Sequence, residues 1–254
     1  MADPKRVPQN GPPDRYYFWW EVVERIEGWL HRPAAIHTMD MLECQELLGV
    51  TGSLLEIGVF SGKYFSILVR HACRCQQVAV GIDPFQLVDS EVARKNIQPA
   101  MAGDGSNVKL CRGYSNEVAP AQLLSLLGSY ARFISIDGSH EKPDVYYDLA
   151  LTEQLVGPGA IVAVDDFLNY VTPGVNEAVF AFYSTPRRLV PFAFIKNKLF
   201  LTFRQWADRY KAMLEDKLMK DDVEEHSSFF RHRLKIDRAL VEQRLWGSSL
   251  LLVP

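Results

Sequence analysis

Five short apolar runs, each closed by a turn and followed by a stretch of helical period, constrain this chain more than any other feature. The runs lie near Leu54 to Ile57, Gln77 to Ile82, Val108 to Cys111, Phe133 to Ile136 and Gly159 to Val164. Helical spacing of apolar residues separates them, near Lys63 to His71, Glu91 to Met101, Pro120 to Leu127 and Val145 to Leu155. Strands buried on both faces read as continuous apolar runs, and parallel neighbours need crossover helices. The pattern therefore predicts an α/β fold with helices on both faces of a mostly parallel sheet. A further pair, Leu189 to Phe194 and Lys198 to Phe203, flanks Lys196-Asn197 and reads as a tight hairpin. It brings the expected sheet to seven strands, the last antiparallel.

Around this core, residues 51–203, the chain divides by composition. Residues 1–15 are polar and rich in Pro and Gly, predicting a disordered or extended start without signal peptide or anchor. Residues 16–50 predict a cap of two helices, Tyr16 to Leu30 and Met39 to Leu48. Residues 204–254 predict a helical extension serving as lid or dimer contact, ending in the apolar run Leu250-Leu251-Leu252-Val253. Tyr16, Tyr17, Phe18, Trp19 and Trp20 are too apolar for a free surface and predict packing on the sheet, an acceptor pocket or a homodimer contact. A net charge of -3 leaves no electrostatic footprint for nucleic acid or an anionic membrane, so the expected partner is a small molecule. Four cysteines, Cys44, Cys73, Cys75 and Cys111, are too few for a disulfide scaffold and suit a reducing cytoplasm.

Ligands of open α/β sheets bind outside the carboxyl ends of the strands, so the residues there carry the chemistry. The first strand runs through Glu56 into Gly58-Val59-Phe60-Ser61-Gly62. Glycines at that spacing let the chain reverse and a ligand approach bare backbone. A phosphate-binding P-loop needs four residues between its glycines, and here there are three; a dinucleotide fingerprint needs Gly-x-Gly, which is absent. The second strand ends in Asp83-Pro84-Phe85, with Asp83 placed 25 positions beyond Gly58, where an acid grips ribose hydroxyls and Phe85 can pack on a base. The third ends in Tyr114-Ser115, and Ser115 reads either as an adenine contact or as a helix cap with Glu117 behind it.

The fourth and fifth strands end in Asp137-Gly138-Ser139-His140 and Asp165-Asp166. Neighbouring strands lie about 4.8 Å apart, so acids at their ends can share one hard cation such as Mg²⁺, which would relieve their repulsion and hold a substrate oxygen. The bland reading makes them turn and capping acids. His140 reads as a general base, imidazole being the side chain that titrates near neutral pH, or as a loop residue before the next helix.

From Glu56 to about Phe203 these motifs resemble class I S-adenosylmethionine-dependent methyltransferases. The acids Asp137, Asp165 and Asp166 are similar to the metal positions of the catechol and macrocin O-methyltransferase groups. That resemblance implies a Rossmann-like sheet and S-adenosyl-L-methionine bound by Glu56, Gly58, Phe60, Ser61, Gly62, Asp83, Phe85, Ser115 and Asp137. It further implies Mg²⁺ on Asp137, Asp165 and Asp166, catalysis by His140 and Asp137, and a hydroxyl acceptor that is a sugar or natural product. A metal-independent methyltransferase and a non-catalytic nucleotide-binding protein are the alternatives. An oxidoreductase would use the same sheet and ribose acid but needs the Gly-x-Gly spacing and a hydride-handling Tyr-Lys or His-Asp set, which this sequence does not show.

Overall fold

The computed structural model describes residues 14–254, so most of the polar start lies outside the described residues. The parallel core forms as the alternation dictates. Strands β1 (Ser53–Ile57), β2 (Ala79–Asp83), β3 (Val108–Arg112), β4 (Ala131–Ile136) and β5 (Val156–Val164) alternate with helices α3 (Phe65–Arg74), α4 (Ser90–Ile97), α5 (Pro120–Leu127) and α6 (Lys142–Leu155). After α7 (Pro173–Phe182), strands β6 (Leu189–Ile195) and β7 (Lys198–Phe203) make the hairpin, and β7 lies antiparallel to β5.

The sheet is wider than expected. Its order is β3-β2-β1-β4-β5-β7-β6-β9-β8, nine strands rather than seven. The two extra strands, β8 (Glu242–Leu245) and β9 (Ser248–Val253), come from the expected helical extension and its apolar end, of which α8 (Arg204–Lys220) and α9 (Glu225–Ile236) are the helices. Leu250, Leu251 and Val253 of β9 are buried, and β9 runs parallel to β6. The apolar tail thus covers a sheet edge that would otherwise expose a row of unpaired amides and carbonyls.

At the amino end the expected helix from Tyr16 to Leu30 is broken. It is a short α1 (Asp14–Phe18) followed by a wide π turn, Trp19–Val23, and the chain bends at Gly28, whose φ of +133° only glycine adopts freely. The second helix, α2 (Arg32–Leu47), starts earlier than its apolar period suggested because Pro33 sits in its first turn.

Alternation along the strands sends side chains to two cores. Leu54, Phe133, Ile161 and Phe200 pack with α2, α3, α8 and the aromatic start. Leu55, Ile57, Val162 and Leu199 face α5, α6 and α7.

Candidate active site

Sheet register assembles the site. Glu56 of β1 stands beside Ser135 of β4, Ser135 beside Ala163 of β5, and Ala163 beside Phe200 of β7. Backbone bonds continue one step past the strand ends, the Asp137 amide donating to the Ile57 carbonyl at 2.8 Å and the Asp165 amide to the Ile136 carbonyl at 3.0 Å. Two positions beyond Ser135 and Ala163, Asp137 and Asp165 point to the same face as Glu56, because side chains alternate with period two. Lys198, two before Phe200 on the antiparallel β7, joins the row. Its Nζ lies 3.0 Å from Asp165 Oδ1.

Lys198 is fully buried, its ammonium 4.5 Å from the centre of the Tyr64 ring. Tyr64 and Thr38 exchange a hydroxyl hydrogen bond at 2.9 Å, so α2 roofs this end of the row. Neither Lys198 Nζ nor Glu56 Oε2 has an aligned hydrogen-bond partner. Burial opposes the Lys198 charge, but the carboxylates of Asp165 and Asp137 outweigh it and raise its pKa. Burial likewise works against the Asp165 carboxylate, and Lys198 more than compensates, leaving its pKa below the usual range. Asp137 moves the other way: burial, then the Asp165 charge, raise it well above the ordinary carboxylate range. Glu56 is raised too, by burial only partly offset by Lys198. The row thus ends in one ion pair, Asp165 with Lys198, beside two carboxyls, Asp137 and Glu56, that favour their protonated forms.

Asp166 faces elsewhere. It sits at φ +57°, a left-handed conformation that is uncommon for a residue with a side chain. Its Oδ1 accepts from Asn169 Nδ2 at 2.8 Å and Asn197 Nδ2 at 2.9 Å, and its Oδ2 lies 3.2 Å from His140 Nε2. His140 is half exposed on the turn leaving β4. Asp137, His140 and Asp165 line one small hollow, with Val145 and Val175 as its apolar wall.

The glycine turn is built differently from expectation. A Cβ on Gly58, at φ +88°, would lie 2.0 Å from the Asp137 carbonyl oxygen, and one on Gly62 would lie 2.8 Å from Ile97. The close passage of β4's exit and of α4 by itself requires glycine at both positions. Asp83 closes the same turn. Its Oδ2 accepts from the Val59 and Phe60 amides, both at 2.8 Å, and its Oδ1 from the Phe85 amide at 2.6 Å. A carboxylate offers about four acceptor positions, so about one remains for a ribose hydroxyl. Phe60 and Phe85, at φ +49° and +50°, mark where this scaffold is strained. Phe85 is buried, while Phe60 packs against Trp29. Ser61 is buried, its hydroxyl bonded to the Glu27 carbonyl, and so points away from the crevice.

Ser115 opens a single helical turn rather than capping α5. The Glu117 carboxylate receives the Tyr114 amide at 3.1 Å, and Ser115 Oγ donates to Asp148 Oδ1 at 2.5 Å. Burial pushes the Asp148 carboxyl up to about 7, against the pull of the Ser115 hydrogen bond.

The expected metal set does not converge. Asp165 is paired with Lys198, and Asp166 faces two asparagine amides and His140 instead. Among the described residues no three His, Cys, Asp or Glu side chains gather as a metal cluster. With Asp165 neutralised by Lys198 and Asp166 turned away, the residues do not present Mg²⁺ with a converging set of oxygens and do not fit it. Strand-end spacing does not single out Lys198 and Asn197, which the hairpin brings to the site. The signal was a lysine opening an otherwise apolar strand, Lys198-Leu199-Phe200-Leu201, on its inward face.

Residues 55–167 match the family model described as a methyltransferase domain. A curated relative, uncharacterized protein R132 of Acanthamoeba polyphaga mimivirus, is 29% identical over 130 residues, covering 49% of this chain and 58% of that protein. The chain thus matches little more than half of that relative's length. Among solved structures, apo CalS11, a TDP-rhamnose 3'-O-methyltransferase of calicheamicin biosynthesis, superposes with TM-score 0.56 at 20% identity, covering 77% of this chain and 89% of the other. An O-methyltransferase from Bacillus cereus in complex with SAH gives TM-score 0.53 at 14% identity, covering 76% and 91%. At such identities the likeness establishes the fold.

Proposed function

We propose that this chain, whose residues 55–167 match the model of a methyltransferase domain, is an S-adenosylmethionine-dependent O-methyltransferase acting on a hydroxyl of a small molecule, a sugar or glycosylated natural product. The observation that carries the reading is the His140–Asp166 pair beside Asp137 on the rim of the strand-end crevice. Likeness to a rhamnose O-methyltransferase supports the acceptor class, and an SAH-bound neighbour supports the cofactor.

The cofactor would lie along the carboxyl ends of β1 to β4. Asp83, with about one acceptor position left, would hold its ribose, Phe85 and Tyr114 would contact its base, and the Gly58 turn with Asp137 would meet its amino-acid end. When bound, it supplies an electrophilic methyl group on a sulfonium sulfur. The protein's part is to align the hydroxyl and take its proton. With its proton on Nε2, the nitrogen 3.2 Å from Asp166 Oδ2, the imidazole of His140 would keep Nδ1 as the free acceptor, while Asn169 and Asn197 hold Asp166 in register. His140 would take the proton of the hydroxyl that receives the methyl group. Alignment contributes about 7–11 kcal/mol of barrier reduction in well-oriented reactions, against roughly 3–5 from one acid–base group. Positioning is therefore the larger share. No step runs through a divalent ion.

The test is incubation with S-adenosylmethionine and a panel of nucleotide-linked sugars and glycosylated natural products, read by mass spectrometry. The reading expects an acceptor heavier by one methyl group with matching release of S-adenosylhomocysteine. Absence of both across the panel, together with tight binding of NAD, would contradict it.

A further inference from the structure

We infer that Lys198 occupies the place of a divalent cation: its ammonium is the resident positive charge of the strand-end acid row, making the site independent of metal. This rests on the methyltransferase reading only for the role of the site, not for the geometry. The ammonium lies 3.0 Å from Asp165 Oδ1, on the strand that register sets directly beside β5. The side chain has no exposed surface, and the ring of Tyr64 closes over it at 4.5 Å. A buried charge is retained only where opposite charge compensates it. Here the compensation comes from the acids that a metal would need.

The hairpin fixes this arrangement. Ile195 pairs with Lys198 across the two-residue turn, the Asn197 carbonyl accepts the Phe167 amide at 2.9 Å, and the Asn197 side chain donates to Asp166. One turn thereby sets Lys198 against Asp165 and turns Asp166 away toward His140. Lys198 Nζ and Glu56 Oε2 are both buried without an aligned hydrogen-bond partner. Polar capacity is thus left over beside the ion pair, suited to a hydroxyl or amino group of a bound molecule at the Asp137 end. Lys198 is a positioning residue: it neutralises Asp165 permanently and keeps the row from attracting a cation of variable occupancy.

The decisive experiment is electron paramagnetic resonance of Mn²⁺ added to the chelator-washed full chain, comparing wild type with Lys198→Ala. The wild type should leave the free Mn²⁺ signal unchanged. Lys198→Ala, which uncovers Asp165 and makes room beside Asp137, should deplete that signal stoichiometrically, and Asp165→Asn added to it should restore the signal. Methyl transfer by wild type should be unchanged in excess chelator, and Lys198→Met should lower it by roughly 10²-fold, the usual effect of removing a fixed electrostatic partner. Mn²⁺ bound by wild type and released by Asp165→Asn would overturn the inference, as would a chelator-sensitive wild type or a fully active Lys198→Met. If Lys198→Ala fails to fold, the wild-type Mn²⁺ and chelator measurements decide alone. The Mn²⁺ readout needs no acceptor, so failure of the methyl-transfer reading would appear separately, as absence of turnover in every protein.

Discussion

At the residue scale, two side chains separate chemistry from scaffold. His140 is half exposed and held by a single carboxylate, so removing it disturbs little packing. His140→Ala should lower turnover by roughly 10²- to 10⁴-fold with cofactor affinity nearly unchanged, measured by steady-state kinetics and calorimetry; wild-type turnover would remove it from the mechanism. Asp83 is the opposite case, since its carboxylate receives three backbone amides. Asp83→Ala should therefore cost both cofactor affinity and about 2 kcal/mol or more of folding stability, read by urea unfolding. A loss of affinity alone would show that the amides find other partners. Sequence spacing made Asp83, Asp137 and His140 legible because strand-end position follows from the apolar period. It did not reveal which way Asp166 turns, since a left-handed conformation at a non-glycine residue depends on Asn169 and Asn197 arriving from elsewhere in the chain. Nor did it pair Lys198 with Asp165, a contact made by sheet register across 33 residues.

At the element scale, the glycine turn distinguishes space from backbone freedom. Gly58 and Gly49 both have positive φ, +88° and +69°, yet only Gly58 is crowded; nothing lies within 4 Å of a Cβ on Gly49. Gly49→Ala should cost about 1 kcal/mol of stability, the price of the left-handed conformation. Gly58→Ala must also push the Asp137 carbonyl away and should cost at least about 3 kcal/mol, both read by urea unfolding. Equal costs would mean that the β4 exit yields easily. The five βα units and the hairpin were legible because their periods are strong and local. The last two strands were not, because Glu242 to Leu245 is a short, half-exposed edge whose partner, β9, decides its conformation. The amino-terminal helix failed for a related reason: its aromatic run carries no local signal for a π turn.

At the scale of the whole molecule, one buried acid sets a pH dependence of folding. Burial holds the Asp148 carboxyl at about 7, above its ordinary 3.8. Between those values the folded chain keeps a proton that the unfolded chain has lost, so this group lowers stability as pH rises through the window and has no further effect above it. Asp148→Asn should flatten that slope and stabilise the protein at pH 8 by at most about 4 kcal/mol, read by thermal unfolding across pH; an unchanged slope would show that Asp148 ionises without cost. The same sheet joins the whole account, because its parallel half carries the crevice and its antiparallel half delivers Lys198 and Asn197 to it. No helix among the described residues is long and apolar enough to cross a membrane. The central claim, a chain that binds S-adenosylmethionine for methyl transfer, is tested most directly by calorimetric titration of S-adenosylmethionine and S-adenosylhomocysteine into the chelator-treated protein. Both should bind saturably at one site per chain, with dissociation constants of about 1 μM to 1 mM, in the range of ordinary enzyme substrates; absence of binding heat from either ligand, or binding that returns only with a divalent cation, would contradict a metal-independent methyl-donor site.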